Sequence, residues 1–151
     1  MIYLVRHAAA MAAAAWPGTD SDRPLSPPGH RAAEGIASHL SARPITRILS
    51  SPRRRCLDTA APLAAARGIA VEIEPTLDED AVTGDARTWL EAPAPGLALF
   101  THAPVIADLL TGLSEAGAVL QGTRTVARAS IWELSVEGGR ITSGRYLPPP
   151  E

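Results

Sequence analysis

Ile2-Tyr3-Leu4-Val5-Arg6-His7 opens on four apolar residues and closes on two basic ones. An apolar run with no polar alternation describes a strand buried on both faces, and Arg6-His7 marks its carboxyl end. A strand of that kind belongs in a sheet covered by helices on both sides. The rest of the chain supplies them. Ala8 to Ser21 is alanine-rich but broken at Pro17-Gly18, which predicts an irregular loop with at most a helical turn. After the turn-rich stretch Arg23 to Gly29, the residues Ala33, Ile36, Ala37 and Leu40 put one apolar stripe on a helix from His30 to Ser41. Ile45 to Leu49 reads as a second strand. Ser51 as N-cap and Pro52 as first helical residue start a helix that runs to Arg67 and stops at Gly68.

Ile69 to Ile73 is a third strand, Glu74 to Gly84 an acidic loop, and Arg87 to Glu91 a short helix. Gly96 to Thr101 is a fourth strand, followed by a helix from Pro104 to Leu113. Val126 to Val136 and Arg140 to Leu147 form a hairpin around Gly138-Gly139. Strands alternating with helices give an α/β, three-layer αβα sandwich with a mostly parallel sheet, to which the hairpin adds an antiparallel edge. One domain over residues 1–147 and a disordered tail over 148–151 are expected.

Composition removes several function classes. The 151 residues are 46% hydrophobic and 20% charged, as in a globular domain. No apolar run reaches the ~18–20 residues of a membrane span, and the apolar start is too short for a secretory leader, so a cytoplasmic location and no membrane partner are expected. A net charge of −2 lacks the basic footprint of a nucleic-acid binder. All 14 basic residues are arginine, which excludes Schiff-base lysine chemistry and the lysine of a Walker phosphate loop. A single cysteine, Cys56, excludes an internal disulfide and a cysteine metal cluster.

In open α/β sheets ligands sit beyond the carboxyl ends of the strands. Arg6-His7, Arg53-Arg54-Arg55 and His102 all fall there, and two of these strand ends lead into helix N-termini, which favour anions. A phosphoryl group is the guest that this charge suits. Arg53 and Arg54 are placed near the rim, where they would attract an anionic substrate. Cys56 is expected as a small buried residue.

Four segments appear in order: Leu4-Val5-Arg6-His7-Ala8; Arg23-Pro24-Leu25-Ser26 with Gly29; Ser50-Ser51-Pro52-Arg53-Arg54-Arg55-Cys56-Leu57-Asp58-Thr59-Ala60; and Phe100-Thr101-His102-Ala103. Together they resemble the histidine phosphatase superfamily, the phosphoglycerate mutase-like fold, and the short chain is most similar to its SixA-type phosphohistidine phosphatases. The resemblance implies a phosphatase that needs no cofactor and no metal. His7 would be the nucleophile and carry the phosphoryl group as phosphohistidine. Arg6 and Arg55 would clamp the non-bridging oxygens, Arg55 being selected by the spacing to Thr59-Ala60. His102 would donate to the same oxygens as imidazolium, with the N–H of Ala103 beside it. The leaving-group acid would come from Leu77 to Gly84, where Glu79 is the candidate.

The implied partner is a phosphorylated protein or a small phosphorylated metabolite. Ala8 and Ala103 stand where the family favours glycine, and Ala9-Ala10 replaces a common Glu-Thr. Three functions therefore stay open: a protein phosphohistidine phosphatase, a phosphatase of a small phosphate monoester using Glu79, and a weakly catalytic phosphate-binding module.

Overall fold

The apolar opening of the chain forms strand β1 (Ile2–Arg6), whose four apolar residues are all buried. The computed structural model describes residues 1–82 and 85–150. Thr83 and Gly84, the end of the expected acidic loop, and Glu151 lie outside the described residues. With β1 in the sheet are β2 (Arg47–Ser50), β3 (Val71–Ile73), β4 (Leu97–Thr101), β5 (Val119–Gln121), β6 (Ile131–Glu137) and β7 (Arg140–Leu147), in the order β3-β2-β4-β1-β6-β7-β5. The strands β3, β2, β4 and β1 run parallel. β6 is antiparallel to β1 and to β7, and β5 is parallel to β7.

Side chains alternate across the strands and so divide the core in two. Tyr3, Val5, Ile48, Ala98 and Phe100 face α1 (Pro27–Leu40) and α2 (Arg54–Arg67). Ile2, Leu4, Leu49, Leu97 and Leu99 face α3 (Thr88–Glu91) and α4 (Ala103–Glu115). The result is the expected three-layer sandwich. The register Arg6↔Thr101 sets the ends of β1 and β4 side by side. Residues 7 and 102, which follow those ends, are thereby brought together.

Several boundaries differ from expectation for local reasons. α1 starts at Pro27, because proline at a first helical position forfeits no hydrogen bond, and Ser26 Oγ caps it by accepting the Gly29 N–H at 3.2 Å. α2 starts at Arg54 with Arg53 at the N-cap and no side-chain cap, so Ser51 is not the cap. β5 was not foreseen: three residues between Gly117 and Gly122 are too short to show alternation. It takes the sheet edge expected for the hairpin. β6 begins at Ile131, five residues late, because residues 126–130 turn beside the end of β1, where the Ala129 N–H reaches the His7 carbonyl at 3.2 Å. The tail expected as disordered is described to Pro150, which lies against Gly35 of α1.

The alanine-rich loop after His7 is pinned to the start of α1. Ser26 N–H and Ser26 Oγ both donate to the Ala9 carbonyl, at 2.9 and 3.0 Å, and Met11 N–H donates to the Pro24 carbonyl at 2.9 Å. Gly29 is what permits this approach, since a Cβ there would stand 1.9 Å from the Ala9 oxygen. Gly29→Ala is therefore expected to destabilise the fold by about 3 kcal/mol or more, an overpacking cost against backbone. It should also impair the site at His7. Chemical denaturation together with an activity assay checks both.

Candidate active site

His7 follows β1, and its Nδ1 lies 2.8 Å from the Ala8 carbonyl. A carbonyl oxygen only accepts, so Nδ1 carries the proton and the Nε2 lone pair is free. The ring is 9% exposed and sits in a frame of backbone bonds: His7 N–H to the Thr101 carbonyl at 3.1 Å, and Ala8 N–H to Thr59 Oγ1 at 3.0 Å. The Thr59 hydroxyl in turn donates to the Arg55 carbonyl at 2.6 Å. One side chain of α2 therefore fixes the loop after His7 and the backbone of Arg55 together.

His102 is the N-cap of α4 and is 1% exposed. Its ring centroid is 5.4 Å from that of His7, edge to face. Its Nε2 lies 2.9 Å from Ser51 Oγ, which also accepts the Arg53 N–H at 3.3 Å. With the Ser51 hydroxyl donating to Nε2, the ring proton sits on Nδ1. That atom is buried, has no hydrogen-bond partner among the described residues, and stands 3.7 Å from Glu79 Oε2. Ala103 follows as the first residue of α4, whose opening N–H groups have no partner within the helix. Cys56 Sγ is 3.5 Å from His102 Nε2; burial pushes the thiol up to about 12, so it stays neutral.

Arg55 lies in the first turn of α2 and is 3% exposed. Its Nη2 donates to Glu79 Oε1, and its Nη1 is 3.2 Å from the Asp20 carbonyl and 3.4 Å from Asp20 Oδ2. Arg6 donates through Nη1 to the Val126 carbonyl at 2.7 Å, while its buried Nε has no partner. The structure thus brings His7, His102, Arg55 and Glu79 into one cluster, with Arg6 and Ala103 at its border. Among the described residues no group of three or more His, Cys, Asp or Glu is arranged to hold a metal ion.

Burial, the largest cause, lowers His7 to about 4. His102, Arg55 and Arg6 add to the shift, and the Ala8 carbonyl opposes it. Burial likewise lowers His102 to about 4, with Arg55 next, Asp78 opposing, and Arg53 and Arg6 adding. Both imidazoles are neutral at pH 7. For His7 that is the nucleophilic form. For His102, burial and the neighbouring guanidiniums outweigh Asp78, and Glu79 Oε2 at 3.7 Å does not hold the charge by itself, so the expected imidazolium needs the further negative charge of a phosphoryl group.

Sequence reading missed three members of this neighbourhood. Ser51 appeared as a helix cap but serves His102. Asp20, in a loop turn (Asp20–Asp22), reaches Arg55 from 35 residues away. Arg53, expected at the rim as an attractor of anions, is instead enclosed by carboxylates, Asp78 at 2.9 Å and Asp20 at 3.1 Å among them. Only Arg54 stays at the rim, 44% exposed. A hollow of about 310 Å³ between α3, α4 and the start of β7 lies at the opposite end of the sheet and touches none of these groups.

Residues 2–91 match the model of the histidine phosphatase superfamily (branch 1). The uncharacterised protein Rv0525 of Mycobacterium tuberculosis is 42% identical over 57 residues, which is 38% of this chain but only 28% of that relative's length. Among solved structures, the protein histidine phosphatase SixA complexed with tungstate superposes with a TM-score of 0.75 at 19% identity, covering 99% of this chain and 95% of that one. SixA from Agrobacterium tumefaciens gives 0.72 at 25% identity, covering 98% and 97%. The mycobacterial glucosyl-3-phosphoglycerate phosphatase in complex with VO3 gives 0.67 at 20% identity, covering 97% and 95%.

Because both imidazoles bind protons more weakly in the folded chain than the ordinary value of about 6.5, the unfolded chain takes up protons that the folded chain refuses between those limits. Stability is expected to fall as the pH drops from about 6.5 toward 4. Urea unfolding across that window checks the trend, and imidazole 15N shifts should place both midpoints near 4.

Proposed function

The chain belongs to the histidine phosphatase superfamily, and from that membership we propose that it is a phosphatase working through phosphohistidine on His7, with protein-bound phosphohistidine as its preferred substrate. The observation that carries this reading is the neutral His7 imidazole. Its Nδ1–H is held by the Ala8 carbonyl, so Nε2 is the one nitrogen free to attack, and it has a second imidazole and a buried guanidinium beside it.

In the first step the Nε2 lone pair attacks phosphorus, the N–P bond forms, and the bond to the leaving group breaks with its electron pair going to that group. Arg55, Arg6 and His102 supply donors to the equatorial oxygens, on which the transition-state charge is spread. The dianion restores proton affinity to His102. Water then attacks the phosphoenzyme, the P–N bond breaks, and the pair returns to Nε2.

The leaving group separates the two substrate classes. An alkoxide must be protonated as it departs, whereas a phosphohistidine protonated on its second ring nitrogen departs as neutral imidazole. Glu79 is the carboxylate in reach, but it is engaged as the anion by Arg55 and lies 3.7 Å from Arg53. A substrate that asks little of the acid suits this site. The position of Glu79 beside His102 supports the second reading, a small phosphate ester, in which the phosphoryl group takes Arg55 and Glu79, freed from that ion pair, takes a proton from solvent and passes it to the departing alkoxide.

His7→Ala is expected to reduce phosphate release by about a thousandfold or more on every substrate. It should also abolish an acid-labile label trapped from a phosphate donor. Activity retained in that variant would overturn the mechanism, and a wild-type protein that never labels would leave a binding module. Glu79→Gln is expected to slow hydrolysis of alkyl phosphates by about tenfold to a hundredfold while changing phosphohistidine peptides by less than about threefold. A panel of both substrate kinds reads this difference.

A further inference from the structure

Next to the reacting groups lies a dense charge cluster centred on Arg53, a residue that the mechanism does not use. The Arg53 side chain is 12% exposed and has four carboxylates within ion-pair reach: Asp78 at 2.9 Å, Asp20 at 3.1 Å, Glu79 at 3.7 Å, and Asp80. They come from two segments far apart in the chain. Two of them, Asp20 and Glu79, also meet Arg55, so both terminal nitrogens of Arg55 face carboxylates. These carboxylates are rivals of a phosphoryl oxyanion for the same guanidinium. Asp20 Oδ2 is shared unequally, 3.1 Å from Arg53 and 3.4 Å from Arg55. Asp78 and Asp80 are held by Arg53 and make no ion pair with Arg55.

We propose that Arg53 is a positioning residue that keeps Arg55 available to a phosphoryl group by drawing Asp20, Asp78 and Asp80 to itself and sharing Glu79. Arg53 does not reach the reacting group. It works by charge balance: Arg53, Arg55 and Arg23, the last on Asp20 Oδ1 at 3.0 Å, answer four carboxylates; without Arg53 only Arg55 and Arg23 remain, and a phosphoryl dianion at Arg55 meets more uncompensated negative charge. A charge pair at this distance, partly screened by solvent, alters anion affinity by about five- to tenfold. Arg53 acting as a plain structural tie for the acidic segment makes a different prediction. Its loss would then lower thermal stability and turnover, and removing a rival carboxylate would not repair it.

The proposal rests on the reading of Arg55 as the phosphoryl clamp, and one titration separates the two. Inorganic phosphate is titrated by calorimetry at fixed ionic strength into wild type, Arg53→Gln, Asp20→Asn, the double variant and Arg55→Gln. Turnover of p-nitrophenyl phosphate, whose leaving group needs little acid, is measured in parallel for all but Arg55→Gln. Arg53→Gln is expected to bind phosphate about tenfold more weakly, with kcat within about twofold of wild type. Asp20→Asn should bind about threefold more tightly, and the double variant should return to within about twofold of wild type. Phosphate binding by Arg53→Gln equal to wild type, or a double variant as weak as Arg53→Gln, overturns the proposal alone. Binding unchanged in Arg55→Gln, or absent in wild type, removes the clamp and the proposal with it.

Discussion

A guanidinium buried where parallel strands end must find anionic or carbonyl partners, because a charge left alone there costs several kcal/mol. Arg55 is such a group, and much of the site follows from satisfying it. Its backbone carbonyl is held by Thr59, whose hydroxyl also holds the loop after His7. Its terminal nitrogens pull in Asp20 and Glu79. Its charge, after burial itself, is what keeps His102 uncharged. The loop after His7, the acidic segment and the second imidazole are tied to one another through that residue.

The same burial that prepares the imidazoles makes the resting site self-contained. With two neutral rings and Arg55 already bound to carboxylates, the proposed phosphatase reading has a phosphoryl group enter by exchange at Arg55, taking it from Glu79 and Asp20 and raising the proton affinity of His102. Chemistry and recognition are therefore coupled by the limited number of cations within a few ångströms.

Much of this was legible along the chain. The apolar run ending in Arg6-His7 announced a central strand with chemistry at its end. The stripe Ala33, Ile36, Ala37 and Leu40 is the buried face of α1, and the spacing from Arg55 to Thr59-Ala60 picked the buried arginine out of three. Legibility failed where a residue's role depends on a distant partner. Ser51 before a proline looks like a helix cap, yet its hydroxyl faces His102. Three arginines in a row look alike, but α2 turns Arg55 inward, Arg53 toward the acidic segment and Arg54 to solvent. β5 carries too few residues to show a period and exists because β7 offers it an edge.

The order of the central strands and helices, the two basic strand ends and the candidacy of His7 as nucleophile were readable from the amino-acid sequence alone, because hydrophobic patterning and motif spacing are local properties of a chain. The protonation of His7 and His102, the enclosure of Arg53 and the occupation of Arg55 by carboxylates were decided only by the tertiary structure. Desolvation and Coulomb energy depend on which groups lie within a few ångströms, and segments 20, 53–55, 78–80 and 102 become neighbours only once the sheet has formed.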